Sequence, residues 1–436
     1  MAAGLGTRMR SKQAKHLHPL LGRRVVDWVF EAVAPLAPSP LAVVVSPETE
    51  DELRADLPEG ATLALQADPR GTGDAVAAAR EALAGFDGDI LVLDGAAPLV
   101  TTELLRAFVD DHRAAAAAVS VLSIEPDEPF PYGRVLRGED GSLRGIVEEP
   151  DATDEERAVR ELNSSIYVFA SAALWPALER LEAHNVQGEL YLTDAVRLLV
   201  DEGRHGAVYR SPEAIAGLGV NNRAELAEAA AELRRRIVRD HMLAGVTIVD
   251  PATTWIEPAV EIESDAVIQP FTILKGATVV RSGAEVGPHA VVDGAEIGPG
   301  ATVGPFCYLR PDTVLGETVR AGAFVEIKNS RIAERAKVPH LSYVGDADVG
   351  AGTNIAAGNI MANYPHEPGR PKQRTKIGKD VRTGVHNSFV APVEVGDDAW
   401  IGAGSTITED VPAGALAIAR ARQVNKERRG DGHRDD

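Results

Sequence analysis

A glycine-rich loop, "AAGLGTRM" at residues 2 to 9, opens the chain and carries an arginine. Glycines let backbone N–H groups come close to phosphate oxygens, and Arg8 adds a charged fork. The loop lacks the third glycine of a dinucleotide fingerprint and is no Walker A loop, so a simple turn is the competing reading. Lys15 follows at a suitable distance for a second phosphate contact, and "LQADPRGTGDA" offers Gln66 and the Gly71-Thr72-Gly73 turn. Those groups suit the reading of a base edge by amide and backbone hydrogen bonds. At "ILVLDGAAPLV", residues 90 to 100, an apolar run ends in Asp94 and Gly95. The pattern predicts a buried parallel strand ending in a loop, where α/β folds place their chemistry. A carboxylate at such a tip often holds a metal ion; a turn-starting acid before glycine is the alternative.

A second set lies far along the chain. "VPHLSYVGD" contains His340 and Tyr343, "YLRPDT" supplies Arg310, and "EIKNS" supplies Lys328. "GTNIAAGNIMANY" adds Asn354, Asn363 and Tyr364. A lone histidine in a turn is structural more often than catalytic. Here basic, amide and phenol groups on successive coils can line one groove.

Two different grammars must position these sets. Up to residue 222, strand-like runs ("LAVVVS", "ATLALQ", "DILVLD", "AAVSVLSI", "SSIYVFA") alternate with helical patterns ("TTELLRAFVDDHRAA", "ELYLTDAVRLLVDEG"). Such alternation predicts a mainly parallel sheet covered by helices. Residues 223–250 begin with a long Ala/Glu/Arg-rich helical segment that joins the halves. From residue 251 aliphatic residues recur every six positions, as at Ile262, Ile268, Leu274, Val280, Val286 and Val292. After one slip the frame resumes at Ile297, Val303, Leu309 and Leu315, with small or β-branched residues four places on at Ala266, Thr272, Thr278, Ala284, Ala290, Ala301, Cys307 and Thr313. Three such hexads make one triangular coil of a parallel β-helix, predicted over 251–425. The charged tail, 426–436, is expected to be disordered.

Composition excludes several classes. No run of about 18 apolar residues is present, so no membrane span is expected. The N-terminus has no apolar core followed by a cleavage site, so export is not expected and a cytoplasmic location is. A single cysteine, Cys307, excludes an internal disulfide. The formal net charge of −20 argues against general nucleic-acid binding. Anionic ligands would need local basic groups to overcome that field.

With "PYGRV", "GIVEEPDATDEE", "ELNSSIYVF", "NVQGELYLTD" and "GVNNR", the first half resembles sugar-nucleotide pyrophosphorylase domains. The second half narrows the resemblance to the bacterial family that joins N-acetylglucosamine-1-phosphate uridylyltransferase to glucosamine-1-phosphate N-acetyltransferase. It runs from Ala2 to Arg420, nearly the whole chain. The resemblance implies a Rossmann-like nucleotidyltransferase domain (residues 1–222) followed by a left-handed parallel β-helix of hexapeptide repeats. It implies nucleotide and sugar-nucleotide contacts from Ala2, Ala3, Gly4, Arg8, Lys15, Gln66, Gly71 and Thr72, with Gly133, Glu148 and Asn163 on the amino sugar. Asn221 would be a protein ligand of Mg²⁺. In the second half His340 would be the general base, a task suited to an imidazole whose ordinary pKa is about 6.5. Arg310 and Lys328 would bind the sugar phosphate, and Tyr343 and Asn354 would fix the sugar ring. Asn363 and Tyr364 would complete the sugar site or meet the acetyl group, while Ala357, Ala403 and Arg420 would contact acetyl-CoA. The substrates implied are glucosamine 1-phosphate, acetyl-CoA, UTP and N-acetylglucosamine 1-phosphate, handled by a cytoplasmic homotrimer that feeds cell-wall synthesis.

The chain departs from the family pattern at several points. The strand-tip triplet is Asp94-Gly95-Ala96, which puts Ala96 where the pattern has a metal-binding Asp. On an extended chain Asp94 lies about 6–7 Å further back, too far to substitute without a backbone shift. Gln13-Ala14 precede Lys15 in place of Leu-Pro, Asp74 replaces a histidine, Ser165 a glycine and Val385 a serine. The apolar strand that should precede the glycine-rich loop is missing, so either the chain is truncated at its start or the first half has lost its central strand. These departures predict an intact acetyltransferase and an impaired uridylyltransferase. A monofunctional acetyltransferase with a vestigial nucleotide domain is the alternative, and a non-enzymatic scaffold or sensor is a third reading.

Overall fold

The computed structural model describes residues 1–4, 6–127, 131–365, 367 and 369–426. All of the charged tail except Lys426 lies outside the described residues. The chain divides into two compact units, Met1–Leu233 and Arg234–Asp436.

The first unit is α/β. Its main strands are β1 (Leu41–Val45), β2 (Ala61–Leu65), β3 (Asp89–Val92), β4 (Val119–Ile124), β5 (Arg134–Arg137), β6 (Leu143–Val147), β7 (Leu162–Ala170) and β8 (Gly206–Arg210). The helices that matter here are α1 (Val25–Val33), α2 (Thr72–Ala78), α3 (Thr102–Ala115), α4 (Leu192–Asp201) and α5 (Arg223–Leu243). α3 shows why such segments are helical: Leu104, Leu105, Phe108 and His112 fall on one buried face. The Thr101 side chain accepts the Leu104 N–H at its start, and Ala116 turns left-handed at its end.

The strands form a two-stranded parallel pair, β1 and β2, and a separate mixed sheet of the other six, which corrects the mainly parallel expectation. β1 and β2 are parallel, as are β4 and β8, but β7 runs antiparallel to both β3 and β4. The physical reason is the connection. Between β5 and β6 the chain reverses through a tight turn, with the Gly138 N–H on the Ser142 carbonyl and Gly141 at φ 80°. Strand–helix alternation does not register a hairpin of that kind.

Met1 and Ala2 form a two-residue stub between the facing edges of β1 and the end of β3. The Ala2 N–H donates to the Val44 carbonyl, the Met1 ammonium to Leu93 O at 2.8 Å, and the Gly95 N–H to Met1 O. Ahead of the stub lies a cavity of about 620 Å³, walled by residues of β1 and β3 with Val26, Val76 and Phe86 among the apolar lining.

The second unit is a parallel β-helix. Among the described residues its coils stack into three faces of six, nine and eight strands, and a three-stranded group of Arg382–Thr383, Trp400–Ile401 and Leu416–Ala417 follows. Ile268, Leu274, Val280, Val286 and Val292 are wholly buried, as the period of six requires, while Ile262 is partly exposed. Ala266, Thr272, Thr278, Ala284 and Ala290 are also buried beside them. Successive coils keep register until Tyr343↔Ile360; the next partners are Ile360↔Ser388. The extra length is an excursion that carries Asn363, Tyr364 and Lys372.

Candidate active sites

In the first unit the glycine-rich loop folds back onto Lys15. A side chain at Gly4 would touch Lys15 and His16, and Met9 is buried beneath the loop while Arg8 is exposed. Ala2 and Ala3 are buried. The Lys15 ammonium lies 3.3 Å from Asp94 Oδ2 and 3.5 Å from Asn221 Oδ1, so residues 79 and 206 positions away meet at one cation. His16 Nε2 is 3.7 Å from Asp94 Oδ1. Burial would raise the Asp94 carboxyl, but Lys15, His16 and the Ala96 N–H hold it well below the usual carboxylate range. Burial lowers His16 to about 4, against the pull of Asp94, so the imidazole is neutral at pH 7.

Asp94 is a turn-starting acid: its Oδ1 accepts the Ala96 N–H at 3.0 Å. The extended strand ends at Val92, so the set-back reckoned along an extended chain does not apply, and the Asp94 carboxylate reaches the Asn221 neighbourhood. Ala96 is fully buried, and its carbonyl accepts the Val220 N–H at 2.7 Å. The Asn221 side-chain NH₂ donates to Glu225 Oε2 at 3.1 Å, which turns its carbonyl oxygen toward Lys15. An oxygen pair of this kind suits a hard divalent cation. The residues present therefore fit a metal through Asp94 and Asn221, and Ala96 contributes no donor.

The base-reading turn is occupied differently from the expectation. Gln66 donates its NH₂ to Asp74 Oδ2 at 2.8 Å and to the Gly71 carbonyl at 3.2 Å. Asp74 also accepts from Arg70 at 2.6 Å, so its charge is paired rather than free to repel a nucleotide. Gly71, at φ 123°, lies so close to the Leu190 backbone that any side chain would collide with it; Thr72 beside it is exposed. Gly133, Glu148 and Asn163 are brought together. The Asn163 N–H donates to Gly133 O, and a side chain on Gly133 would press on Glu148 Oε2 at 3.2 Å. Burial raises the Glu148 carboxyl; the Thr193 hydroxyl opposes the rise and Asp194 adds to it. Ser165 sits at φ 61°, a left-handed conformation that explains why the pattern there calls for glycine.

In the second unit the coil register orders the residues into two rows. Asn354 bridges both Lys337 and Arg382, and Arg382 pairs with Trp400. Three positions on from Lys337, Asn354, Arg382 and Trp400 stand His340, Ala357, Val385 and Ala403, one above another, and Arg420 packs beside Gly404 at the end of that row. The second row is basic. Arg310 hydrogen-bonds to the Ile327 carbonyl, beside Lys328, and its guanidinium pairs with Glu326 at 2.9 Å. The neighbouring Lys372 ammonium lowers the Lys328 pKa, with Arg310 adding to the effect. Tyr343 and Asn363 meet at 3.4 Å, and Asn363 also donates to Asp346. Gly345 is required here, because a side chain would overlap the Tyr343 hydroxyl. Tyr364 is exposed, with Lys372 Nζ 5.8 Å from its ring centre. Asn363 thus stands beside Tyr343 rather than in the row that leads to Arg420. Lys372 lies in the excursion, outside the six-residue frame, and its signal in the sequence was the basic stretch "RPKQR", where it stands between Arg370 and Arg374.

Comparison with known proteins decides the family. The nucleotidyl transferase family model matches residues 1–213. Proteins named bifunctional protein GlmU are similar over nearly the full length. The one from Mycobacterium bovis (strain BCG / Pasteur 1173P2) is 46% identical, covering 98% of this chain and 90% of the relative. The one from Mycolicibacterium gilvum is 47% identical with the same coverage, and the one from Mycolicibacterium vanbaalenii is 45% identical over 98% and 91%. The chain belongs to the bifunctional GlmU family. Both groups of residues described above are therefore parts of one GlmU-family architecture, a nucleotidyltransferase unit followed by a β-helix. No described helix is long and apolar enough to cross a membrane.

Proposed function

We propose that this chain acetylates glucosamine 1-phosphate with acetyl-CoA, then joins the N-acetylglucosamine 1-phosphate formed to the uridylyl group of UTP. The observation that carries the reading is the pairing of two rows on the β-helix. A cluster of three cations (Arg310, Lys328 and Lys372) lies on one face, and a row of small residues runs from His340 to Arg420 on another. Cations gathered this closely suit an anion such as a sugar phosphate. His340 takes a proton from the 2-amino group as its nitrogen attacks the thioester carbonyl, and coenzyme A leaves as the thiol. Tyr343 and Asn354 orient the ring, with Asn363 beside Tyr343. Small side chains at Ala357 and Ala403 leave room for the acetyl-CoA arm, and Arg420 neutralises a CoA phosphate. Val385 removes one hydrogen bond to that arm, which weakens binding by roughly 1 kcal/mol.

In uridylyl transfer the phosphate oxygen of N-acetylglucosamine 1-phosphate attacks the α-phosphorus of UTP, and pyrophosphate leaves. Ala2 borders the nucleotide, the N–H groups of Ala3 and Gly4 meet the phosphates, and Arg8 and Lys15 neutralise them. Gln66, Gly71 and Thr72 border the uracil, and Gly133, Glu148 and Asn163 hold the amino sugar. Mg²⁺, held through Asn221, supplies charge neutralisation for the phosphoryl oxygens when bound. Ala96 removes one carboxylate from that centre, and we place uridylyl transfer below acetyl transfer for this reason. The working unit is a cytoplasmic homotrimer serving cell-wall precursor synthesis, with residues 1–222, 223–250 and 251–425 as nucleotidyltransferase domain, connecting segment and acetyltransferase domain. The exposed stack of Phe271, His289, Phe306 and Phe324, with ring centres 4.7–5.0 Å apart, supports association through the β-helix.

The test is to assay the two half-reactions separately on the full chain: acetyl transfer to glucosamine 1-phosphate, and pyrophosphate release from UTP with N-acetylglucosamine 1-phosphate and Mg²⁺. Acetyl transfer abolished by His340→Ala, with weak pyrophosphate release that rises in Ala96→Asp, is the expected result. No acetyl transfer at neutral pH would overturn the reading in favour of a scaffold. Acetyl transfer with no uridylyl transfer in either form would favour the monofunctional alternative.

A further inference from the structure

The family pattern places its carboxylate at the position of Ala96, and this chain has an acid two residues earlier. We propose that Asp94 is itself the carboxylate ligand of the divalent cation, and that Lys15 is a resident counter-cation which must leave before the metal enters. This rests on the reading of the first unit as a uridylyl-transfer site.

Three contacts point to it. Asp94 commits Oδ1 to the Ala96 N–H, which leaves Oδ2 to face a cation. Asn221 commits its NH₂ to Glu225 Oε2, and its backbone N–H donates to the same oxygen at 2.8 Å, so its carbonyl oxygen faces the same point. The Val220 N–H on Ala96 O ties the loop tip to the segment that carries Asn221 and so fixes the separation of the two donors. Between the two oxygens stands the Lys15 ammonium, at 3.3 and 3.5 Å. A carboxylate and an amide oxygen oriented by other groups and converging on a positive charge form a hard-cation site with a protein cation in it. The flexible stem of Lys15 lets the ammonium transfer to phosphate oxygens when a nucleotide binds. Asp94 Oδ2 and Asn221 Oδ1 would then hold the Mg²⁺. No bond is made or broken in this exchange; one cation replaces another.

The experiment reads Mn²⁺ binding by the loss of its free paramagnetic-resonance signal, on the full chain, with Mn²⁺ alone and with Mn²⁺ plus UTP. K15Q should bind Mn²⁺ alone at least tenfold more tightly than the parent, because the competing ammonium is gone. D94N should weaken binding at least tenfold in both the parent and the K15Q background, while D94E retains part of it. Thermal melting of each variant separates lost binding from lost folding, and the K15Q comparison stands even if D94N is unstable. Mn²⁺ affinity unchanged within twofold by D94N in folded protein, or unchanged by K15Q, overturns the proposal. Because binding is read without turnover, Asp94-dependent Mn²⁺ binding in a chain that never releases pyrophosphate would overturn the uridylyl-transfer reading and leave the metal assignment standing.

Discussion

Ser165 shows how one backbone angle accounts for a departure from the family pattern. Its φ of 61° is a conformation that suits glycine, and a residue with a Cβ is strained there. Ser165→Gly should therefore stabilise the first unit by about 0.5–1 kcal/mol, read as a shift of the denaturation midpoint. Lys372 makes a second case. Its ammonium lies close enough to Lys328 to lower the Lys328 pKa, so removing it relieves a repulsion and removes an anion contact together. Lys372→Ala should raise KM for glucosamine 1-phosphate about tenfold with little change in kcat. An unchanged KM would place the sugar phosphate elsewhere.

At the scale of elements, the β-helix is held by repetition: each described coil buries its aliphatic residues against the next, and Leu274 is wholly buried among them. Leu274→Ala should therefore destabilise the second unit by about 2–5 kcal/mol, read as a shift of its denaturation midpoint.

On the scale of the whole molecule, acid should act unequally on the two units. His16 has a folded pKa of about 4 against an unfolded value near 6.5, so between those values the unfolded chain binds more protons. Stability from this group is complete above pH 6.5 and falls as the pH drops toward 4. Asp94, also held low when folded, adds a further loss below about pH 4. His16 therefore predicts a loss of on the order of 2–3 kcal/mol between pH 6.5 and 4, seen as a calorimetric transition of the first unit that moves to lower temperature, with Asp94 extending the loss at lower pH. His16→Gln should flatten that dependence. The net charge of −20 surrounds the cations Arg310, Lys328 and Lys372 of the second unit, so any anion they are proposed to bind approaches against the field of the whole chain.

The six-residue period, the strand-like runs and the long segment from Arg223 to Leu243 were legible in the sequence, because they are local patterns repeated within one or two turns of chain. The order of the motifs also sufficed to point to the family. The antiparallel course of β7, the pairing of Asp74 with Arg70 and Gln66, and the place of Lys372 beside Lys328 were not legible. Each depends on a turn or excursion that no periodicity encodes. The same limit governs Asp94. Sequence alone determined that Ala96 carries no donor. Only the tertiary structure decided that the Asp94 carboxylate, curled back by its own turn, reaches the cation shared with Asn221, because that meeting joins segments 79 and 206 residues from Lys15.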